Sequence, residues 1–418
     1  MLSHLASREE RVRCFISGAV FLLGALALVV PSGYSIGAAL LVLASAVWGR
    51  SVFPLSAQDR WIIVALVTYG VVVGGLSMLD HGSKGFDRPV RFLLAVPVLL
   101  LVLRFPPRQA WLWAGLAIGA IGAGSWGMWQ KLVEGAERAD GHLQVIQFGN
   151  LSMLMGVLCL AGLGWAVVQR QRALWVVLLL LGALLGMVGS LMSGSRGGWI
   201  GLPVIAFVLY RGYGRQLATS VKLIAVGVML TIVTTVYLLP QTGVQPRIQA
   251  AVNDISLYVS GGERNTSLGL RFEMWRGAAQ LISERPLLGW GETGYYEGQV
   301  ALAEQGAVTQ MVTEFDHAHN EFIDVLAKQG LVGLAALLLL YMVPLKVFAP
   351  GLLHPDLHVR ALAVAGTLLP VAYIDFGLSQ TFLAHNSGAM FYAFWLVVLW
   401  GSYSASCRKH ITKPNADG

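Results

Sequence analysis

The chain is poor in charge. Only 12% of its 418 residues are Asp, Glu, Lys or Arg, while 56% are hydrophobic. An ordinary soluble domain is about 25% charged. That deficit excludes a water-solvated globule, and the chain is read as an all-α polytopic membrane protein. Cysteine is scarce too. Cys14, Cys159 and Cys407 stand far apart in or beside apolar runs, so neither a disulfide framework nor a cysteine metal site is visible. No small-x-small cleavage site follows the first apolar run, Cys14 to Pro31. It is expected to remain as the first membrane span. No internal repeat is present. The formal net charge of +7 is read as a topology signal, with no nucleic acid among the expected partners.

What is abundant is hydrocarbon. Twelve apolar runs cover roughly 14–31, 33–49, 61–79, 90–103, 110–130, 145–168, 173–192, 198–210, 217–239, 331–348, 358–377 and 387–405. With the N-terminus in the cytoplasm, every inner loop is basic: Arg50 and Arg60, Arg104 and Arg108, Arg170 and Arg172, Arg211 and Arg215, Lys346, and the tail with Arg408 and Lys409. This satisfies the positive-inside rule and predicts two cytoplasmic termini. Residues 1–239 then hold spans one to nine, 240–330 form a long periplasmic loop, 331–406 hold spans ten to twelve, and 407–418 form the tail. Two amphipathic helices are expected in the loop, lying on the membrane surface. One covers Leu268–Glu284. The other covers Asn320–Gln329, with Asn320 as N-cap and Gly330 as C-cap.

Several arginines break the positive-inside pattern. Arg88 and Arg91 precede the fourth span, Arg138 lies in the 131–144 segment, and Arg196 sits among small residues in Ser193–Trp199. Arg271 and Arg276 flank the apolar stripe of the first loop helix. Cations on the outer face are costly there and suggest an anionic ligand, such as a phosphate-bearing headgroup. The plainer alternative is a set of snorkelling anchors.

The other concentration of chemistry is Asp316-His317-Ala318-His319-Asn320. Two histidines spaced by two share a face in extended chain. Either could act as a general base, with Asp316 or Asp324 orienting it. No third ligand at a recognisable spacing supports a metal site. Ordinary interfacial hydrogen bonding is the remaining reading. His385-Asn386 lies on the same face and is expected to line the same cavity.

With these residues in view, the chain resembles the O-antigen ligase and O-antigen polymerase superfamily, which also includes protein O-oligosaccharyltransferases. The resemblance rests on about a dozen spans, the late loop ending in His317-Ala318-His319-Asn320, Ser195-Arg196-Gly197 after the seventh span, and Arg271 with Trp275. It implies a glycosyltransferase of the C type in the inner membrane of a Gram-negative bacterium. The implied donor is an undecaprenyl-pyrophosphate-linked glycan and the implied acceptor is lipid A–core, with membrane lipids around them. By position, His319 (or His317) corresponds to the family's essential histidine, and Arg196 and Arg271 to its essential arginines. Arg88 and Arg91 match the basic pair before its fourth span. The 131–150 region, with Arg138, resembles it only loosely and lacks the usual Asn-Pro. The implied reaction is inverting, with a His base, arginines on the pyrophosphate, no cofactor and no metal. Asp316, Asn320, Arg138, Arg276 and His385 are expected to support the site. The alternatives are a polymerase using the same donor and, in another class, a polyprenyl-lipid transporter or flippase. The latter predicts inverted repeats and ionisable groups at mid-membrane.

Overall fold

A computed structural model describes residues 2–49, 54–195, 197–239 and 244–412. Among them there are helices, turns and short 3-10 segments but no strand. The first nine helices are α1 (Leu2–Ala25), α2 (Gly33–Trp48), α3 (Ala57–His81), α4 (Val90–Arg104), α5 (Gln109–Leu132), α6 (Val145–Ala166), α7 (Arg172–Ser193), α8 (Leu202–Gly212) and α9 (Thr219–Leu238). Then come α10 (Val244–Val259), α11 (Ser267–Glu284), α12 (Gly291–Glu304), α13 (Glu321–Phe348), α14 (Leu357–Gly377) and α15 (Asn386–Thr412).

Each apolar run read from the sequence coincides largely with a helix, because a chain in hydrocarbon must satisfy its own backbone hydrogen bonds. Six helices are long and apolar enough to cross a membrane: α3, α6, α7, α13, α14 and α15. The protein is therefore membrane-embedded. Helices α6, α14 and α15 are buried along most of their length, whereas α3 and α7 expose more of theirs. Close approach depends on small residues. A Cβ on Gly186 of α7 would meet the Ser152 carbonyl oxygen of α6 at 2.7 Å, and the Ser152 hydroxyl donates to the Gly186 carbonyl at 2.9 Å.

The 240–330 segment departs from expectation. It contains α10, α11 and α12 ahead of the first part of α13, where two helices were expected, and α11 packs against α12. Met274, Ala278 and Leu281 of α11 join Tyr295, Leu302 and Ala303 of α12 in a second apolar core, with Ala318 and Ala327. The glycines and polar residues of Gly291–Glu304 mask the stripe of Tyr295, Gln299, Leu302 and Ala303 that α12 buries. Glu273 anchors this unit from a fully buried position. It accepts from the Tyr258 hydroxyl at 2.8 Å and the Thr309 amide at 3.1 Å.

The second expected loop helix is the first part of α13. Gly330 does break the helix, with φ 64° and ψ −165°, but the chain resumes as helix at once. The amides released by the kink donate elsewhere: Leu331 to the Pro286 carbonyl at 2.8 Å and Val332 to the Leu287 carbonyl at 3.2 Å. The boundary read at 330/331 is thus a kink that clamps the 286–287 turn onto the bundle.

A Cβ on Gly330 would fall 2.2 Å from the Leu287 carbonyl oxygen at a left-handed backbone. Gly330→Ala is expected to destabilise by about 1–3 kcal/mol, read as a lower thermal midpoint of the purified protein. Gly75→Ala, with open space around its Cβ, should leave that midpoint unchanged or slightly higher.

Candidate functional site

The site forms at the end of the bundle where α4, α13 and α15 begin and α14 ends. The Asp316–Asn320 turn leads into α13 and is held from several directions. Asn320 caps the helix as its residue type favours: its Oδ1 accepts from the Phe322 and Ile323 amides at 3.0 and 3.1 Å. Its Nδ2 donates to the Leu378 carbonyl at 3.3 Å. Asp324 accepts from the Ala318 amide at 2.9 Å and pairs with Lys328 at 3.1 Å. Lys328 Nζ donates in turn to the Asp316 carbonyl at 2.8 Å. The Trp275 indole of α11 donates to the Ala318 carbonyl at 2.8 Å. Asp324 therefore orients the backbone of the turn and not an imidazole, which corrects the expectation for it.

Within this clamp His319 adopts φ 50°, a left-handed conformation unusual for a residue with a side chain. The turn brings the two imidazoles together, with ring centroids 4.2 Å apart. Asp316 Oδ1 lies 2.6 Å from His317 Nδ1. Gln380 Oε1 lies 3.2 Å from His317 Nε2 and 2.9 Å from His319 Nδ1. With the carbonyl of Gln380 as acceptor, His319 carries its proton on Nδ1. Its Nε2 is left out of these hydrogen bonds.

Electrostatics reinforces that state. Burial, then His317 and Arg271, push the His319 pKa down to about 4, against a smaller opposing effect of the Gln380 hydrogen bond. His385 is also lowered, by burial first and then by His317 and Arg88. The hydrogen bond from His317 holds Asp316 below the usual carboxylate range.

A cavity of about 240 Å³ opens beside the turn, lined by Arg88, His317, Glu321, Lys328 and His385 among others. Glu321 is buried at its wall. It accepts from the Leu383 amide at 2.7 Å and the Tyr341 hydroxyl at 2.9 Å, which ties the 378–385 loop to α13. A wider recess on the other side of Arg88 and His385 is lined by Lys84, Gln144, Gln147 and Asn386.

The arginines divide into groups. Arg88 reaches the cavity, donating to the Ala384 carbonyl at 2.5 Å and lying 3.6 Å from Glu292. Arg91 is tied to Asn386 Oδ1 at 2.6 Å and Asp87 at 3.0 Å. Arg271 is half-buried on α11, close enough to His319 to act on it electrostatically, though neither side chain lines the cavity. Burial lowers its own pKa, and among the described residues it has no ion-pair partner. Arg138 goes to the Ser193–Ser195 turn, donating to the Ser193 carbonyl at 2.8 Å and the Ser195 hydroxyl at 3.3 Å. Arg276 is exposed and pairs with Glu273 at 3.8 Å, so it is not brought to the histidines. Arg196 lies outside the described residues.

Residues 181–338, from α7 to the middle of α13, match the family model for O-antigen ligase. Over this stretch the chain is similar to the O-antigen ligase family. An uncharacterized protein of Haemophilus influenzae is 28% identical over 369 residues, covering 87% of this chain and 92% of its own. The matched stretch contains α11 and the histidine turn. Gln380, Glu321 and Lys328 were not singled out from sequence. Gln380 is 61 residues from His319, and nothing local marks its amide as the link between two imidazoles.

The depressed His319 pKa has a sign. An unfolded chain would protonate this histidine near 6.5, whereas the folded site holds it neutral to about 4. Its contribution to stability is present above pH 6.5 and is lost as pH falls toward 4. The thermal midpoint of the wild type should therefore drop more steeply over that window than that of His319→Gln.

Proposed function

We propose that the protein transfers an undecaprenyl-pyrophosphate-linked glycan to a hydroxyl of lipid A–core at the periplasmic face of the inner membrane. The reading rests on the family match over 181–338 and on one observation above the rest. Arg271, a half-buried guanidinium without an ion-pair partner among the described residues, acts on an imidazole whose Nε2 is available. An unpaired buried cation is costly unless an anion arrives, and a neutral imidazole is the form a general base requires.

In the proposed reaction His319 Nε2 takes the proton from the acceptor hydroxyl. That oxygen attacks the anomeric carbon of the donor. The bond from carbon to the pyrophosphate oxygen breaks, and its electron pair leaves with undecaprenyl pyrophosphate. Attack opposite the leaving group inverts the anomeric configuration. Arg271 and Arg88, with Arg196 and Arg91 from the resemblance, stabilise charge on the departing pyrophosphate as preorganised electrostatics. As written, the step balances with these side chains alone and uses neither a cofactor nor a metal ion. Asp316, through His317, and Gln380 set the ring positions, by the same logic that a carboxylate serves an imidazole in hydrolytic triads. His385 flanks the cavity, and Arg138 braces the turn that precedes Arg196. In this reading the fold is a C-type glycosyltransferase with twelve spans and both termini cytoplasmic.

Reconstitution with the lipid-linked glycan and lipid A–core tests the proposal. His319→Ala should lower transfer by about 10²–10⁴-fold and Arg271→Ala by about 10²–10³-fold, with Arg276→Ala near wild type. Full activity in both His317→Ala and His319→Ala would refute the base. Loss of activity in EDTA would require a metal ion. Glycan extended without lipid A–core would identify a polymerase.

A further inference from the structure

The opposite end of the bundle contains a second polar recess, unrelated to the histidine turn. It has a volume of about 360 Å³ and is lined by Arg13, Arg108, Gln109, Gln169, His358 and Ser402, with Trp165 and Pro106-Pro107 as apolar wall. It forms beside the middle of α1, where α5 and α14 start and where α6 and α15 approach their ends.

Three of its polar atoms are buried without a hydrogen-bond partner: Arg13 Nε, Gln109 Oε1 and Ser402 Oγ. Ser402 is only 2% exposed. Leaving such groups unsatisfied costs about 1–3 kcal/mol each, so a polar occupant is favoured. The charge balance is cationic. Arg13 lies 4.0 Å from Glu10, and Arg108 also pairs with Glu10. One carboxylate thus faces two guanidinium groups, with His358 alongside. The remaining partners are internal: the Arg108 amide donates to Ser17 Oγ at 2.9 Å, and Gln169 donates to the Trp165 carbonyl at 2.9 Å.

The surroundings distinguish a lipid from a free anion. Trp111, Val167 and Val168 are 37%, 48% and 48% exposed, and they adjoin the lining residues Ala110, Trp165 and Gln169 in the chain. They provide apolar surface at the rim along which an acyl chain can run. The geometry points to a binding site for an anionic phospholipid, with its phosphate between Arg13 and Arg108 and its polar head near Ser402 and Gln109. The two arginines hold the phosphate as charge-assisted donors. The site stands on its own observations and does not depend on the proposed transferase reaction.

Full-length protein stripped of lipid in neutral detergent can be titrated with phosphatidylglycerol, phosphatidylcholine or inorganic phosphate, with bound lipid counted by native mass spectrometry. Phosphatidylglycerol should be retained in preference to phosphatidylcholine. Each arginine near an anionic headgroup contributes on the order of 1 kcal/mol, which is about fivefold in affinity. Arg13→Gln with Arg108→Gln should therefore weaken retention by about 25-fold, while Arg13→Lys with Arg108→Lys keeps most of it. Arg172→Gln, exposed at the same end but outside the recess, should have no effect. Should the double glutamine variant fail to fold, Ser402→Val, which removes the unsatisfied hydroxyl and lines that part of the recess with methyl groups, must still reduce retention. Equal binding of both lipids, an equal loss in Arg172→Gln, or full retention in Ser402→Val would overturn the proposal. So would inorganic phosphate binding as well as phosphatidylglycerol, since that describes a free-anion site.

Discussion

The candidate site depends on how the peptide groups of Ala318 are held. Asp324 accepts from its amide and Trp275 donates to its carbonyl. A hydrogen bond to a carboxylate contributes roughly 1.5–3 kcal/mol and a neutral one about 1. The left-handed conformation of His319 costs on the order of 1–3 kcal/mol. The two anchors on Ala318 are thus comparable to or larger than the strain next to them. They explain why the turn persists in a geometry that sets two imidazoles against one amide. The turn joins three parts of the protein: Trp275 of α11 and Asp324 of α13 through Ala318, and Gln380 of the loop after α14 through the imidazoles.

Charge around this turn is organised by what each arginine can pair with. Arg91 and Arg276 have carboxylate neighbours in their own helical turns, at Asp87 and Glu273. In each pair one partner, Asp87 or Arg276, is exposed to water, which screens the attraction, and the pairs act as local fasteners. Arg88 is intermediate, sharing Glu292 with His81 while facing the cavity. Arg271 differs because burial removes water from its guanidinium and no carboxylate of the described residues replaces it. That makes it the cation with the most to gain from an incoming phosphate.

Much was legible in one sequence. The apolar runs predicted the helices of the bundle, since a backbone in hydrocarbon has few alternatives to helix. The residue types of Asp316–Asn320 marked the turn, and Asn320 behaves as the N-cap its side chain suits. Trp275 stood out on the stripe of α11, and Arg271 beside it. The helical unit of 244–320 was read less well. Its helix α12 is rich in glycine and polar residues, so its buried stripe is weak. The packing of α11 onto that stripe follows from a partner that local periodicity does not reveal.

The sequence by itself determined the membrane-embedded helical class, the position of the histidine turn and the set of available cations, because these follow from composition, local caps and residue chemistry. Only the tertiary structure decided which groups meet. It turned Asp324 toward the backbone, brought Gln380 between the imidazoles, sent Arg276 to Glu273 and left Arg271, among the described residues, without an ion-pair partner. Those outcomes depend on how helices far apart in the chain pack, and long-range packing sets distance and burial, the two quantities that govern hydrogen bonding and the cost of a charge.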